Sequence, residues 1–165
     1  MNFLQVAKEI EQQGCDHYNA LADNESTREF AGIFRFLAAE EIRHFQIFDA
    51  MDKKAALPPV ETTDVVAYAK KIFQSLSEQF KASGGSSANY EEVYEKALQF
   101  ENKSIEFYTR AIDENLFTGE ADQQILLNII RQENIHAKLI SGLMEFLRHP
   151  GEWLENAEFF HSEEF

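Results

Sequence analysis

The sequence predicts an all-α protein: a four-helix bundle whose second and third long helices are joined by a long crossover carrying a short extra helix, followed by a C-terminal tail. Three observations predict it. Only 3 prolines and 7 glycines punctuate 165 residues. The segments between them repeat apolar residues at helical spacing, and no useful stretch alternates with period two. The link between the second and third long helices is too long to require antiparallel neighbours, so it can cross the length of the bundle.

Each element has its own signals. The first helix takes residues 2–23 and opens on Asn2-Phe3-Leu4-Gln5, a plausible N-cap pattern. The second starts at Ser26-Thr27-Arg28-Glu29, which matches a capping box, and runs to about Lys54. Leu57-Pro58-Pro59-Val60 is expected to end it, because proline clashes with the preceding turn. The crossover helix follows Thr62-Thr63 over about 64–81, and Ser83-Gly84-Gly85-Ser86-Ser87 is a loop. Asn89-Tyr90-Glu91-Glu92 caps the third long helix, which reaches about Asn115. Thr118-Gly119 opens the fourth, ended near His149-Pro150-Gly151. The bundle is therefore expected over 1–149 and the tail over 150–165.

Composition narrows the function classes. Fifteen Lys and Arg against 29 Asp and Glu give a formal net charge of −14. That balance argues against nucleic acid, whose phosphates need a basic face, and against an anionic membrane surface. One cysteine, Cys15, excludes an internal disulfide and a cysteine-ligated zinc or iron–sulfur site within one chain. No basic patch precedes an apolar run in MNFLQVAKEI, and no apolar stretch approaches a membrane span. The expectation is a soluble, acidic, cytoplasmic domain.

The apolar seams carry an anomaly. On the second helix Phe30, Phe34, Leu37, Glu41, His44, Phe48 and Met51 follow a 4,3 spacing, and on the fourth Leu126, Ile129, Glu133, His136, Ile140, Leu143 and Leu147 do the same. The first helix gives Leu4, Ala7, Glu11, Gly14, Tyr18 and Leu21; the third gives Tyr94, Ala97, Glu101, Ser104, Tyr108 and Ala111. Each seam thus holds one glutamate where the core should be. The halves also repeat one another, at an offset of 90 residues for Glu11 and Glu101 and 92 for the two Glu-x-x-His pairs. A duplicated helix pair, with ligands related by a pseudo-two-fold axis, is the reading.

Four ionised carboxylates cannot share a dry core unaided, since each costs several kcal/mol even after relaxation. Either they are protonated or cations sit among them. Glu-x-x-His puts both side chains on one helix face, and oxygen with imidazole suits iron, manganese or zinc. Two divalent ions cancel four carboxylates when both histidines are neutral. A lone Glu-x-x-His is a weak signal, and Glu158-x-x-His161 in the tail reads as accidental. Two single glutamates and two such pairs, in order and on seams, form the ligand pattern of ferritin-like di-iron and di-manganese carboxylate bundles.

The chain resembles the rubrerythrin-like branch of the ferritin-like superfamily. The residues that carry the resemblance are Glu11-Gln12-Gln13-Gly14 with Tyr18, Leu37-Ala38-Ala39-Glu40-Glu41-Ile42-Arg43-His44, Glu101 with Phe107-Tyr108, Glu133-Asn134-Ile135-His136, and the tail Trp153-Leu154-Glu155-Asn156-Ala157-Glu158-Phe159. The resemblance implies two iron ions bridged by Glu41 and Glu133. Glu11 and His44 would complete one position, Glu101 and His136 the other. Rubrerythrin proper has a further ligand carboxylate three residues after the one matching Glu101; here Ser104 stands there, and the expected site is more symmetric, closer to a bacterioferritin-type centre. Rubrerythrin proper also carries a rubredoxin domain with four iron-binding cysteines, absent from these residues, so electrons are expected from an external donor such as a rubredoxin-type protein.

The activity expected on this basis is reaction of ferrous iron with hydrogen peroxide or dioxygen: a peroxidase or oxidase with a reducing partner, a ferroxidase without one. The rivals are an iron-storage protein, with the centre as the route in, and a metal-free helical interaction module. Di-manganese or mixed manganese–iron occupancy is compatible with the ligand set. Tyr18 and Tyr108 are candidates for bonding ligand carboxylates or passing electrons; the plainer reading makes them core aromatics with a satisfied hydroxyl. Cys15 reads as an inert, partly buried thiol, His17 as a surface or interface residue, and His149 as a helix-end histidine without chemistry. Trp153, Leu154, Phe159, Phe160 and Phe165 are too apolar for a free end, and a homodimer that shields them is expected.

Overall fold

The computed structural model describes residues 2–24, 30–58 and 91–149, and among these the regular elements are four long helices with no strand. They are α1 (Phe3–Asp23), α2 (Ala31–Lys53), α3 (Glu91–Asp113) and α4 (Glu120–Arg148). The crossover helix, the Ser26–Glu29 and Asn89 caps, and the tail with Glu158 and His161 lie outside the described residues.

The local signals act largely as expected. Asn2 caps α1 in a reciprocal box: the Gln5 backbone N–H donates to Asn2 Oδ1 at 2.9 Å, and the Asn2 N–H to Gln5 Oε1 at 3.3 Å. Gly119 precedes α4, whose first turn carries Glu120 and Asp122 and whose last carries Arg148, charges that suit the helix dipole at each end. The end of α2 corrects the expectation. Proline does not stop this helix; it closes on itself before Pro58 is reached. Lys54 takes the left-handed conformation (φ 50°), its N–H reaches Met51 O at 3.2 Å, and the Ala55 N–H reaches Ala50 O at 2.9 Å. Those two bonds are a Schellman closure. Asn115 (φ 51°) closes α3 in the same way.

Side-chain pairings fix the topology. Tyr18 meets Glu101 while Glu11 meets Tyr108, so α1 and α3 run antiparallel. His44 meets Glu133 while Glu41 meets His136, so α2 and α4 do too. With α1 and α2 packed as a hairpin, α2 and α3 point the same way. The end of α2 and the start of α3 therefore lie at opposite ends of the bundle, about 34 Å apart for a helix of 23 residues, an arrangement in keeping with a crossover topology. Backbones approach closely within α1–α2 and α3–α4, whereas the two pairs meet mainly through longer side chains.

The seams are buried as read, with only the rim residues Leu4, Met51 and Leu147 partly exposed. They form two apolar layers. One gathers Tyr18, Phe34, Leu37, Tyr94, Ile140 and Leu143; the other gathers Ala7, Phe48, Tyr108, Ala111, Leu126 and Ile129. Aromatic stacking knits the first, with Phe34 5.7 Å from Tyr94 and 6.2 Å from Tyr18. Phe48 packs 5.3 Å from Tyr108 in the second. Between these layers lies the polar one.

Candidate metal centre

The mid-helix positions of all four helices converge there. α1 supplies Glu11, α2 Glu41 and His44, α3 Glu101, and α4 Glu133 and His136, none more than 1% exposed. Residues three apart share a helix face, so each Glu-x-x-His pair faces inward together. His44 Nδ1 lies 3.0 Å from Glu133 Oε1 and 3.5 Å from Glu11 Oε2. His136 Nδ1 lies 3.1 Å from Glu133 Oε2, 3.2 Å from Glu41 Oε1 and 3.7 Å from Glu101 Oε2. The two imidazoles stack with centroids 5.6 Å apart.

These distances define two overlapping groups. In Glu11, Glu41, His44 and Glu133, one ligand atom from each residue lies within 4.8 Å of all the others. The same holds for Glu41, Glu101, Glu133 and His136. Glu41 and Glu133 belong to both. The pattern obeys a pseudo-two-fold relation that exchanges Glu11 with Glu101, Glu41 with Glu133 and His44 with His136.

The tyrosines sharpen this geometry. Tyr18 donates its hydroxyl to Glu101 Oε1, and Tyr108 donates to Glu11 Oε1. Each ring belongs to an apolar layer and each hydroxyl to the polar one. Each tyrosine thus pins one oxygen of a glutamate from the opposite half. The other oxygens, Glu11 Oε2 and Glu101 Oε2, are buried with no hydrogen bond, as is Glu41 Oε1. Buried carboxylate oxygens left unsatisfied are expensive. One Nδ1 facing two or three carboxylates cannot satisfy them all, whereas a cation at the focus satisfies every one. The donor set therefore fits a divalent metal pair.

Electrostatics show what the cluster does without cations. Burial, then repulsion from Glu133 and Glu101, pushes the Glu41 carboxyl well above the usual range. Burial and Glu133 raise Glu101 to about 7. For the histidines burial favours the neutral form, but Glu133 and Glu11 around His44, and Glu101, Glu133 and Glu41 around His136, outweigh it and hold both well above the ordinary value. Burial also works to raise Glu133, yet the two histidines facing it pull it well below the usual carboxylate range. Protons thus take the place of cations. Burial and the adjacent glutamates likewise keep Tyr18 and Tyr108 protonated, as donors.

The structure brings the six seam residues together in one buried layer. Other details were not legible in the seam. Gln132 Oε1 accepts from His44 Nε2–H at 2.6 Å, and Glu40, only 2% exposed, accepts from Arg43 Nη1 at 2.8 Å. Each stands one residue before a seam glutamate, and the duplicated offset was the signal that pairs them. Gly14 lies directly against the site: a Cβ there would sit 2.8 Å from both Glu41 Oε2 and Phe100 Cε1. Ser104, its counterpart, donates to Phe100 O at 3.2 Å. Cys15 is half-buried, and burial pushes its thiol up. His17 is half-buried against Tyr18 and Phe100, and burial lowers its pKa.

A family model for rubrerythrin matches residues 2–144, a span that includes all six residues and both tyrosines. No curated protein and no solved structure gives a match. None of the helices among the described residues is long and apolar enough to cross a membrane.

Proposed function

From the premise that this chain belongs to the rubrerythrin family, we propose that it is a non-haem di-iron protein that reacts ferrous iron with hydrogen peroxide or dioxygen. The observation that carries this is the membership of Glu41 and Glu133 in both four-residue groups. They are the residues to bridge two ions. Glu11 and His44 complete one position, Glu101 and His136 the other. Four carboxylates then balance two divalent charges, with both histidines neutral.

When bound, two ferrous ions supply the two electrons that reduce peroxide to water. The protein's own residues do the rest. Tyr18 and Tyr108 hold Glu101 and Glu11 with one oxygen turned inward. Phe34 and Leu37 on one side, and Phe48, Leu126 and Ile129 on the other, keep water from the site. Glu133 is held by both histidines and Glu41 faces His136, so both carboxylates are placed to adjust between two ions. A separate carrier such as a rubredoxin-type protein supplies electrons for turnover, and the setting is a cytoplasmic homodimer; the apolar residues of the tail support the dimer.

Metal analysis after anaerobic ferrous loading tests the reading. About two irons per chain are expected, with a clear loss in Glu41→Gln and Glu133→Gln. The loaded protein mixed with peroxide in stopped flow should then change its absorbance within seconds. Metal content indifferent to both substitutions would overturn the di-iron reading; two irons inert to peroxide and dioxygen would leave iron binding without the redox activity.

A further inference from the structure

The two halves of the centre differ behind their histidines. If Nδ1 of each imidazole faces an ion, Nε2 must carry the proton and needs an acceptor. His44 has one, in Gln132 Oε1 at 2.6 Å. His136 Nε2 is wholly buried and has no hydrogen-bond partner. The residue related to Gln132 by the pseudo-two-fold is Glu40. Each precedes the glutamate of its own Glu-x-x-His pair, and the two side chains have the same length. Glu40 is buried, and Arg43, one turn along α2, holds its Oε1 at 2.8 Å. A buried carboxylate and a buried N–H donor without acceptor therefore occupy positions that are joined by a hydrogen bond in the other half.

We propose that Glu40 is a positioning residue for His136: its carboxylate leaves Arg43 to accept the His136 Nε2–H, so that one metal position is backed by a carboxylate and the other, through Gln132, by a neutral amide. The inference rests on the di-metal reading above. A carboxylate behind a ligating imidazole fixes its tautomer and strengthens Nδ1 as a donor, more than an amide does. The ion held by His136, Glu101 and the bridging pair is thus the tighter one and loads first.

Cobalt(II), which takes the same oxygen and nitrogen donors, is the probe. Metal-free protein titrated anaerobically with cobalt(II) should bind two ions in steps at least about tenfold apart, on the scale that outer partners of ligands contribute. Repulsion between ions also separates steps, so the variants decide. Glu40→Gln places amides behind both histidines: the tight step should weaken by about tenfold or more and approach the weaker one. Gln132→Glu should strengthen the weaker step instead. In proton NMR of the cobalt form, the shifted exchangeable Nε2–H resonance of His136 should move in Glu40→Gln while that of His44 stays.

Two bound ions with steps and resonances unchanged in Glu40→Gln would overturn the inference and leave the di-metal reading standing. Absence of cobalt binding would overturn both. Should Glu40→Gln not fold, Gln132→Glu decides alone: a weaker step left where it was refutes the asymmetry.

Discussion

Replacing Gly14 by alanine separates stability from metal binding. The added Cβ would lie 2.8 Å from Glu41 Oε2 and 2.8 Å from Phe100 Cε1, so both neighbours must retreat by roughly half an ångström to reach ordinary contact at 3.4 Å or more. Two effects oppose each other in the metal-free protein. Alanine is favoured over glycine inside a helix by about 1 kcal/mol, while overpacking costs about 1–3 kcal/mol. The net is a loss of about 0–2 kcal/mol. Metal binding has no such compensation, because Glu41 belongs to both ion positions. A displacement that weakens each ion about tenfold, the lower end for a disturbed ligand shell, removes about 1.4 kcal/mol per ion. Loaded protein should therefore lose about 2.8 kcal/mol more than metal-free protein. For a domain of this size that is a fall of roughly 5–10 °C in the metal-induced rise of Tm. The assay is a pair of thermal melts, with chelator and with saturating ferrous iron under anaerobic conditions. Ser104→Ala is the control, since a side chain already fits there. A Gly14→Ala protein that keeps the full metal-induced rise would refute the claim that this glycine makes room for a bridging carboxylate.

Three further outcomes follow from the same geometry. Metal-free protein should lose stability as pH rises from about 5 to about 8: the folded state holds protons on Glu101, raised from 4.5 to about 7, and on Glu41, which the unfolded chain releases at lower pH. The histidine contribution, from pKa values raised on folding, disappears in the same direction. Metal-induced stabilisation should grow over that range, because ligands must shed protons to bind; a chelated melt flat or rising with pH would contradict this. Tyr18→Phe and Tyr108→Phe should each cost the metal-free protein about 1.5–3 kcal/mol in urea unfolding at about pH 8, the scale of a hydrogen bond to a carboxylate; an unchanged midpoint in either variant would contradict its pairing. Lys54→Gly should raise stability by about 0.5–1 kcal/mol, read as a higher Tm, by relieving a left-handed backbone at the end of α2.

Much of this was written into the one-dimensional pattern because the site lies on the seams. A glutamate or histidine that interrupts a regular apolar repeat is conspicuous, and spacing alone assigns it to the inner face of a helix. Gln132 and Glu40 fall beside the seam, where polar residues are ordinary, so periodicity gives no reason to notice them. The burial of Glu40 and the contact of Gln132 with His44 arise only in the assembled bundle, a tertiary fact. The stop of α2 was misread for a related reason. Pro58 is a visible breaker, whereas a lysine in the left-handed region carries no compositional mark. Tyr18 and Tyr108 were legible as aromatic seam residues, but each hydroxyl's partner comes from the other half, a sequence distance of 83 or 97 residues.

That reciprocal pairing has a consequence for how such a centre can change. Two identical hairpins assembled about a true two-fold axis must carry every substitution twice, once on each side of the site. A position that needs glycine on one side would then be glycine on both, and an acid behind one imidazole would stand behind the other. Carrying both hairpins on one polypeptide lifts that obligation. Gly14 faces Ser104 and Glu40 faces Gln132 across the pseudo-axis, so two ions held by matching ligands are given unlike surroundings, and each half is free to be tuned alone.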